Sequence, residues 1–87
     1  MIVLYSGNVQ GVGFRYTAKT VATGFEVTGV IRNLPDGRVE LIAEGCHAEL
    51  ADFRIAILDA GLAGFISDEQ VTWVPAKNEF RGFEIVR

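Results

Sequence analysis

Residues 26–44, EVTGVIRNLPDGRVELIAE, decide the fold because they contain two β-prone segments on either side of a turn. The segments at about 26–33 and 38–44 are rich in β-branched and aliphatic residues. Pro35 fixes φ in the turn, and Gly37 can adopt the positive φ that a tight turn needs. The stretch therefore predicts two antiparallel strands joined as a β-hairpin.

The second strand of this hairpin alternates as a strand with one buried face does. Val39, Leu41 and Ala43 lie on one side, and Glu40 and Ile42 lie on the other. We expect the first three residues to face the core.

A strand, a loop and a helix are predicted before the hairpin. Residues 2–9 are β-prone and lead into a glycine-rich segment. Gly24 is expected to form a left-handed cap near the end of the helix. Apolar residues of the helix recur at the spacing of a single buried stripe: Phe14, Ala18, Val21, Ala22 and Phe25.

A second helix and two strands are predicted after the hairpin. The helix covers about 47–60 and ends at Gly61. The strands are expected at 71–74 and at about 80–86, and residues 67–69 are expected in a solvated loop. The predicted inner stripe of the helix consists of Leu50, Phe53, Ile57 and Ala60.

The element order β-α-β-β-α-β predicts the α+β class, and its simplest packing is a ferredoxin-like α/β sandwich. Both helices should cover one face of an antiparallel sheet, with a short extra strand at the C-terminus. The chain has 87 residues, of which 49% are hydrophobic and 22% charged. This size and composition fit a single domain over residues 1–87.

Charge and cysteine content exclude several classes of protein. The chain has 8 Lys and Arg against 11 Asp and Glu, a net charge of −3, whereas proteins that bind the nucleic acid backbone are usually basic. One cysteine cannot form an internal disulfide, which predicts a reducing, cytoplasmic location. The first residues lack the basic region of a signal peptide, and their apolar run is too short to span a membrane.

The segment GNVQGVGFR, residues 7–15, joins the first strand to the first helix. Its glycines let several backbone N–H groups turn into one concavity, and the helix N-terminus adds unpaired donors. With the guanidinium of Arg15, the segment can hold a phosphoryl group. The segment lacks the Gly-Lys-Ser/Thr end of a Walker loop. It also lacks the third glycine of the dinucleotide-binding motif, since Tyr16 occupies that position. The alternative is a simple connector with Arg15 on a solvated face.

Asn33 precedes the hairpin turn and has two interpretations. The amide of an Asn in this place often bonds only to local backbone. It can also donate and accept, and so align a water molecule beside a bound phosphoryl group. The local sequence leaves both open.

The groups that this region lacks indicate a substrate class. Between Gly7 and Gly37 no nucleophile, metal cluster or general acid is evident, and no His or Cys is present. The lone His47 beside Cys46 is expected on the surface, not at a metal site. Because a carboxylate, with a pKa of about 4, leaves without being protonated, an acyl phosphate can be hydrolysed by positioning and electrostatics alone.

Residues 7–15, together with GVIRNLPDGRVE at 29–40 and Gly45, resemble the two motifs of the acylphosphatase family. The resemblance covers most of the chain. It implies a ferredoxin-like enzyme that converts acyl phosphates to a carboxylate and inorganic phosphate without a metal or cofactor. It also implies that Arg15 binds the phosphoryl oxygens and that Asn33 orients the attacking water. Six residues would bind phosphate through their backbone amides: Val9, Gln10, Gly11, Val12, Gly13 and Phe14.

Three positions depart from the family pattern. Asn8 stands where a basic residue is usual, which can weaken the local positive potential. Val30 stands where an aromatic residue is usual and Ile31 where Val is usual; both are interpreted as packing changes, and Val30 can in addition alter the surroundings of Asn33.

We expect a free-standing monomer ending at Arg87 that has a small acyl phosphate as substrate and no nucleic acid partner. The alternatives are a domain of a larger carbamoyl-transfer protein, or a non-catalytic module that binds an anion, carbamoyl phosphate or RNA. Only the fragment Arg81-Gly82-Phe83 supports RNA binding.

Overall fold

The helices and strands follow one another in the predicted order. A computed structural model describes all of residues 1–87. Its elements are β1 (Ile2–Gly7), α1 (Phe14–Ala22), β2 (Thr28–Asn33), β3 (Val39–Glu44), α2 (His47–Ile57), β4 (Ile66–Thr72) and β5 (Phe83–Ile85).

The five strands form one sheet in the order β4-β1-β3-β2-β5. The three pairings among β4, β1, β3 and β2 are antiparallel, as predicted. The pairing of β2 with β5 is parallel and places Ile31 beside Ile85. Residues 73–82 cross the end of the sheet from β4 at one edge to β5 at the other. Because β5 starts at the end of the sheet where β4 finishes, it runs in the direction opposite to β4 and the same as β2. The sheet is therefore mixed.

The core lies between one face of the sheet and the two helices. Val39, Leu41 and Ala43 are fully buried, which confirms the predicted face of β3. From the helices, the core receives Phe14, Ala18, Ala22, Leu50, Phe53 and Ile57. Both helices therefore cover one face of the sheet, as a ferredoxin-like α+β fold requires.

The hairpin between β2 and β3 fixes the register of the centre of the sheet. Gly37 has φ of +96°, the positive value predicted for the turn. Arg32 lies opposite Glu40, and their side chains form an ion pair at 2.7 Å. Gly29 is required by close packing, because a Cβ atom there would lie 2.0 Å from the carbonyl oxygen of Ile42.

Helix α1 ends differently from the prediction, whereas the helical run after α2 ends at the predicted residue, Gly61. Helix α1 stops at Ala22, and Gly24 has no positive φ; its N–H instead bonds to the carbonyl of Val21 at 3.1 Å. After α2, the backbone makes a wide turn over Leu58–Leu62, in which Gly61 has φ of +93° and ends the helix. This turn changes which residue faces inward, so that Ala60 is exposed and Leu62 is buried.

Strand β4 begins five residues earlier than predicted and includes residues 67–69, which are therefore not a loop. It is an edge strand whose exposed face is polar, so its composition resembles that of a loop. Arg54 of α2 holds Glu69 of β4 through two hydrogen bonds of 2.6 and 3.0 Å. No helix in the structure is both long and apolar enough to cross a membrane.

Candidate active site

The loop between β1 and α1, residues 8–13, has the backbone shape of an anion-binding nest. Gly11 and Gly13 have φ of +80° and +79°, a conformation that residues with a Cβ rarely adopt. Gly13 is the N-cap of α1 and provides no side chain, and the first turn of α1 contains no acidic residue. The positive end of the helix is therefore open to an anion.

The N–H groups of residues 9–13 donate to no acceptor within the protein. The loop is instead held from the other side by Gln10. Its amide nitrogen donates to the carbonyl oxygens of Leu34 at 2.8 Å and Arg38 at 2.9 Å, both in the β2–β3 turn. Gln10 thus fixes the loop to the hairpin and leaves the main-chain donors unpaired.

A cleft of about 170 Å³ is lined by most of the predicted site residues. Arg15 from α1 and Asn33 from the end of β2 both line it. Four of the six predicted phosphate-binding residues also line it: Val9, Gly11, Gly13 and Phe14. The other two do not, since Gln10 points to the hairpin and Val12 packs against the core.

Arg15 is the only half-buried arginine without a carboxylate partner. Arg38 and Arg54, which are also half-buried, form ion pairs with Asp36 and Glu69. An unpaired charge that is partly removed from water is unfavourable until an anion binds to it. The cleft therefore has a positive charge available for a ligand.

Asn33 also presents an unpaired polar atom. Its Oδ1 is buried and accepts no hydrogen bond from the protein. An unsatisfied acceptor of this kind costs about 1–3 kcal/mol, so its presence beside a cleft is typical of a functional position. Asn33 shares the helix-facing side of β2 with Ile31, and Val30 lies on the opposite side.

The three departures from the family pattern, Asn8, Val30 and Ile31, do not line the cleft. Asn8 is exposed. The expectation that Val30 changes the surroundings of Asn33 is therefore not supported by the alternation of side chains along β2.

Packing beneath the loop fixes the start of α1. The ring of Phe14 lies against that of Tyr5, with centroids 4.8 Å apart. Burial raises the pKa of the Tyr5 phenol well above its usual value, so the group stays neutral. Phe14, which directly precedes Arg15, is therefore anchored in the core by its contact with Tyr5.

Tyr16 and Ile85 also line the cleft, and neither was predicted as a site residue. Tyr16 follows Arg15 in the motif, which was a local indication of its position. Ile85 reaches the cleft through the parallel pairing of β5 with β2, a long-range contact that no local pattern indicates.

A larger cavity of about 460 Å³ lies at the opposite end of the sheet and contains none of these groups. His47 and Trp73 stack at this cavity with ring centroids 4.2 Å apart. His47 is on the surface, as predicted, and Trp73 is 45% exposed. No group of three or more potential metal-ligating side chains occurs in the structure.

The fold and the cleft define an α+β sandwich with a glycine-rich loop of unpaired N–H groups at a helix N-terminus. The acylphosphatase family model matches residues 1–85. An acylphosphatase of Acidothermus cellulolyticus is 41% identical over 80 residues, which cover 88% of this chain and 76% of that protein. This chain belongs to the acylphosphatase family.

Solved structures agree with this assignment. The acylphosphatase of Bacillus subtilis superimposes with a TM-score of 0.88 at 34% identity, covering 99% of this chain and 96% of that chain. The HypF protein of T. kodakarensis has a similar fold, with a TM-score of 0.79 at 23% identity. That match covers 99% of this chain but 11% of HypF, so the same fold also occurs as a small part of a longer protein.

Proposed function

We propose that this chain hydrolyses acyl phosphates in the cleft between the β1–α1 loop and the end of β2. The observation that carries the proposal is the half-buried, unpaired Arg15 beside main-chain N–H groups with no acceptor. Backbone N–H groups and a guanidinium are the kinds of donor that bind the negatively charged oxygens of a phosphoryl group. Asn33 lines the same cleft and can bond a water molecule.

The proposed reaction is an in-line attack of water on phosphorus. A P–O bond forms to the water oxygen, and the P–O bond to the acyl oxygen breaks, with its electron pair leaving on the carboxylate. The water proton passes to solvent, so that the products are a carboxylate and inorganic phosphate. Arg15 and the loop amides stabilise the phosphoryl oxygens, while Asn33 positions the water.

The leaving group explains how so few catalytic groups can suffice. A carboxylate, with a pKa of about 4, needs no general acid, whereas a phenoxide, with a pKa of about 10, is a far poorer leaving group. We therefore propose that the reaction needs no metal and no cofactor. Acyl phosphates should react and phosphate monoesters should not.

We further propose that the protein acts as a monomer in the cytoplasm. All groups of the cleft come from one chain, and the one cysteine, Cys46, is free. Sedimentation equilibrium should give the mass of a single chain of 9.5 kDa, and a stable dimer would contradict the proposal.

Hydrolysis of benzoyl phosphate in ¹⁸O-labelled water, with and without EDTA, tests the reaction. The label should appear in inorganic phosphate, EDTA should have no effect, and phenyl phosphate should remain intact. Label in benzoate would place the attack on the acyl carbon and contradict the mechanism. A folded protein that binds phosphate but hydrolyses nothing would instead be a non-catalytic module.

A further inference from the structure

The cleft contains apolar surface that a phosphoryl group does not use. Of its large hydrophobic residues, Val9 and Phe14 are 0% and 2% exposed and belong to the core. Tyr16 and Ile85 are 72% and 37% exposed, so their surfaces are open to a ligand. Exposed aromatic and aliphatic side chains at the edge of a polar site are typical of a surface that contacts the apolar part of a ligand.

These two side chains flank the predicted phosphate site from different elements. Tyr16 directly follows Arg15 in the first turn of α1. Ile85 of β5 lies beside Ile31 of β2, and Ile31 is two residues before Asn33 in the same strand. An acyl group is joined to the phosphoryl group through a single oxygen, so it must lie next to the groups that hold the phosphate.

We propose that Tyr16 and Ile85 form the acyl-contacting surface of the site, and that the preferred substrates are acyl phosphates with a planar, apolar acyl group. This inference rests on the proposed function. An aromatic ring such as that of Tyr16 can stack on a planar group, and Ile85 can make an aliphatic contact with it. Neither residue takes part in the chemical step; both determine specificity.

The test compares kcat/KM for benzoyl phosphate and acetyl phosphate. Tyr16→Ala should lower the benzoyl-to-acetyl ratio by about tenfold, because one aromatic contact is lost for one substrate only. Ile85→Ala should lower the ratio by a smaller factor. Tyr16→Phe keeps the ring and should retain the wild-type ratio. Inhibition by inorganic phosphate should be unchanged in all three variants.

Trp73→Ala is the matched control, because Trp73 is an exposed aromatic residue outside the cleft. It should leave the ratio unchanged. An unchanged ratio in Tyr16→Ala, an equal loss for both substrates, or a loss in Tyr16→Phe would overturn the inference while the proposed function stands. If the wild type hydrolyses neither substrate, the proposed function itself fails.

Discussion

Arg15 and Asn33 carry different parts of the proposed chemistry, and their surroundings explain the division. Arg15 is a permanent cation without a carboxylate partner. It can therefore bind the negative charge of the phosphoryl oxygens, which is present in both the substrate and the transition state. Asn33 is neutral, and its buried Oδ1 has no partner. A neutral acceptor suits the positioning of water.

Asn33→Ala should lower kcat of acyl phosphate hydrolysis by about 100-fold or more, because water positioning matters most in the transition state. Inhibition by inorganic phosphate should change little, since the phosphate-binding groups are intact. Steady-state kinetics with phosphate as inhibitor measures both quantities. Gln70→Ala, which removes an exposed amide side chain of β4 outside the cleft, is the control and should behave as wild type. A large loss of phosphate affinity in Asn33→Ala would reassign Asn33 to binding.

The loop of residues 8–13 owes its shape to glycines and to one side chain. Gln10 bridges the carbonyls of Leu34 and Arg38, which are otherwise part of the neighbouring turn. The glycines predicted a nest of several backbone N–H groups, and the family resemblance implied that the amides of all six residues 9–14 bind phosphate. It did not predict the anchoring role of the Gln10 side chain, because that role depends on the contact between loop and hairpin.

Gln10→Ala should raise the inhibition constant for inorganic phosphate by about tenfold, because the loop loses two hydrogen bonds of about 1 kcal/mol each that hold it in the binding shape. Phosphate inhibition curves measure the effect. Gln70→Ala on the exposed face of β4 is the matched control. Equal inhibition constants in the two variants would show that the loop keeps its shape without this anchor.

Glu44 at the end of β3 holds the segment that crosses the sheet. Its carboxylate accepts hydrogen bonds from the backbone N–H groups of Lys77, Asn78 and Glu79 at 2.6, 3.2 and 3.1 Å. These bonds, first that from Lys77, hold the pKa of Glu44 below its usual value of 4.5. The segment leads to β5, and thus positions Ile85 at the cleft.

The lowered pKa fixes the sign of a pH dependence. Since the unfolded chain binds the proton more readily, Glu44 stabilises the folded state above pH 4.5, and this stabilisation is lost as the pH falls through the lowered pKa. Glu44→Gln should therefore be less stable than wild type at neutral pH, and the difference should shrink in acid. Urea unfolding at several pH values measures it. Asp59→Asn, at an exposed carboxylate with no ion pair, is the control. A difference that does not depend on pH would contradict this role.

At the scale of the whole molecule, the fold depends on one core between the sheet and the helices. Local patterns predicted the hairpin, the buried face of β3 and most of the inward stripe of α2, because each of these follows from periodicity within one element. They did not predict the extent of β4, whose polar edge resembles a loop, or the parallel pairing of β5. Those features depend on contacts between residues distant in sequence, such as Arg54 with Glu69 and Ile31 with Ile85.

Phe53→Ala should lower the free energy of unfolding by about 3–5 kcal/mol, because Phe53 is fully buried and packs against the rings of Phe25 and Phe83. Urea denaturation measures the change. Ile55→Ala, two residues along the same helix and 51% exposed, should change it by less than about 1 kcal/mol. Similar losses in the two variants would contradict a single core on this side of α2.

The most direct measurement is kcat/KM for acetyl phosphate in the wild type, Arg15→Lys and Arg81→Lys. Lys keeps the charge but not the planar fork that binds two oxygens, so Arg15→Lys should lose about 100-fold or more. Arg81 is exposed and lies outside the cleft, so its variant should match the wild type. If Arg15→Lys retains activity within about threefold of the wild type, the phosphoryl group is not held by this guanidinium, and the proposed site is wrong.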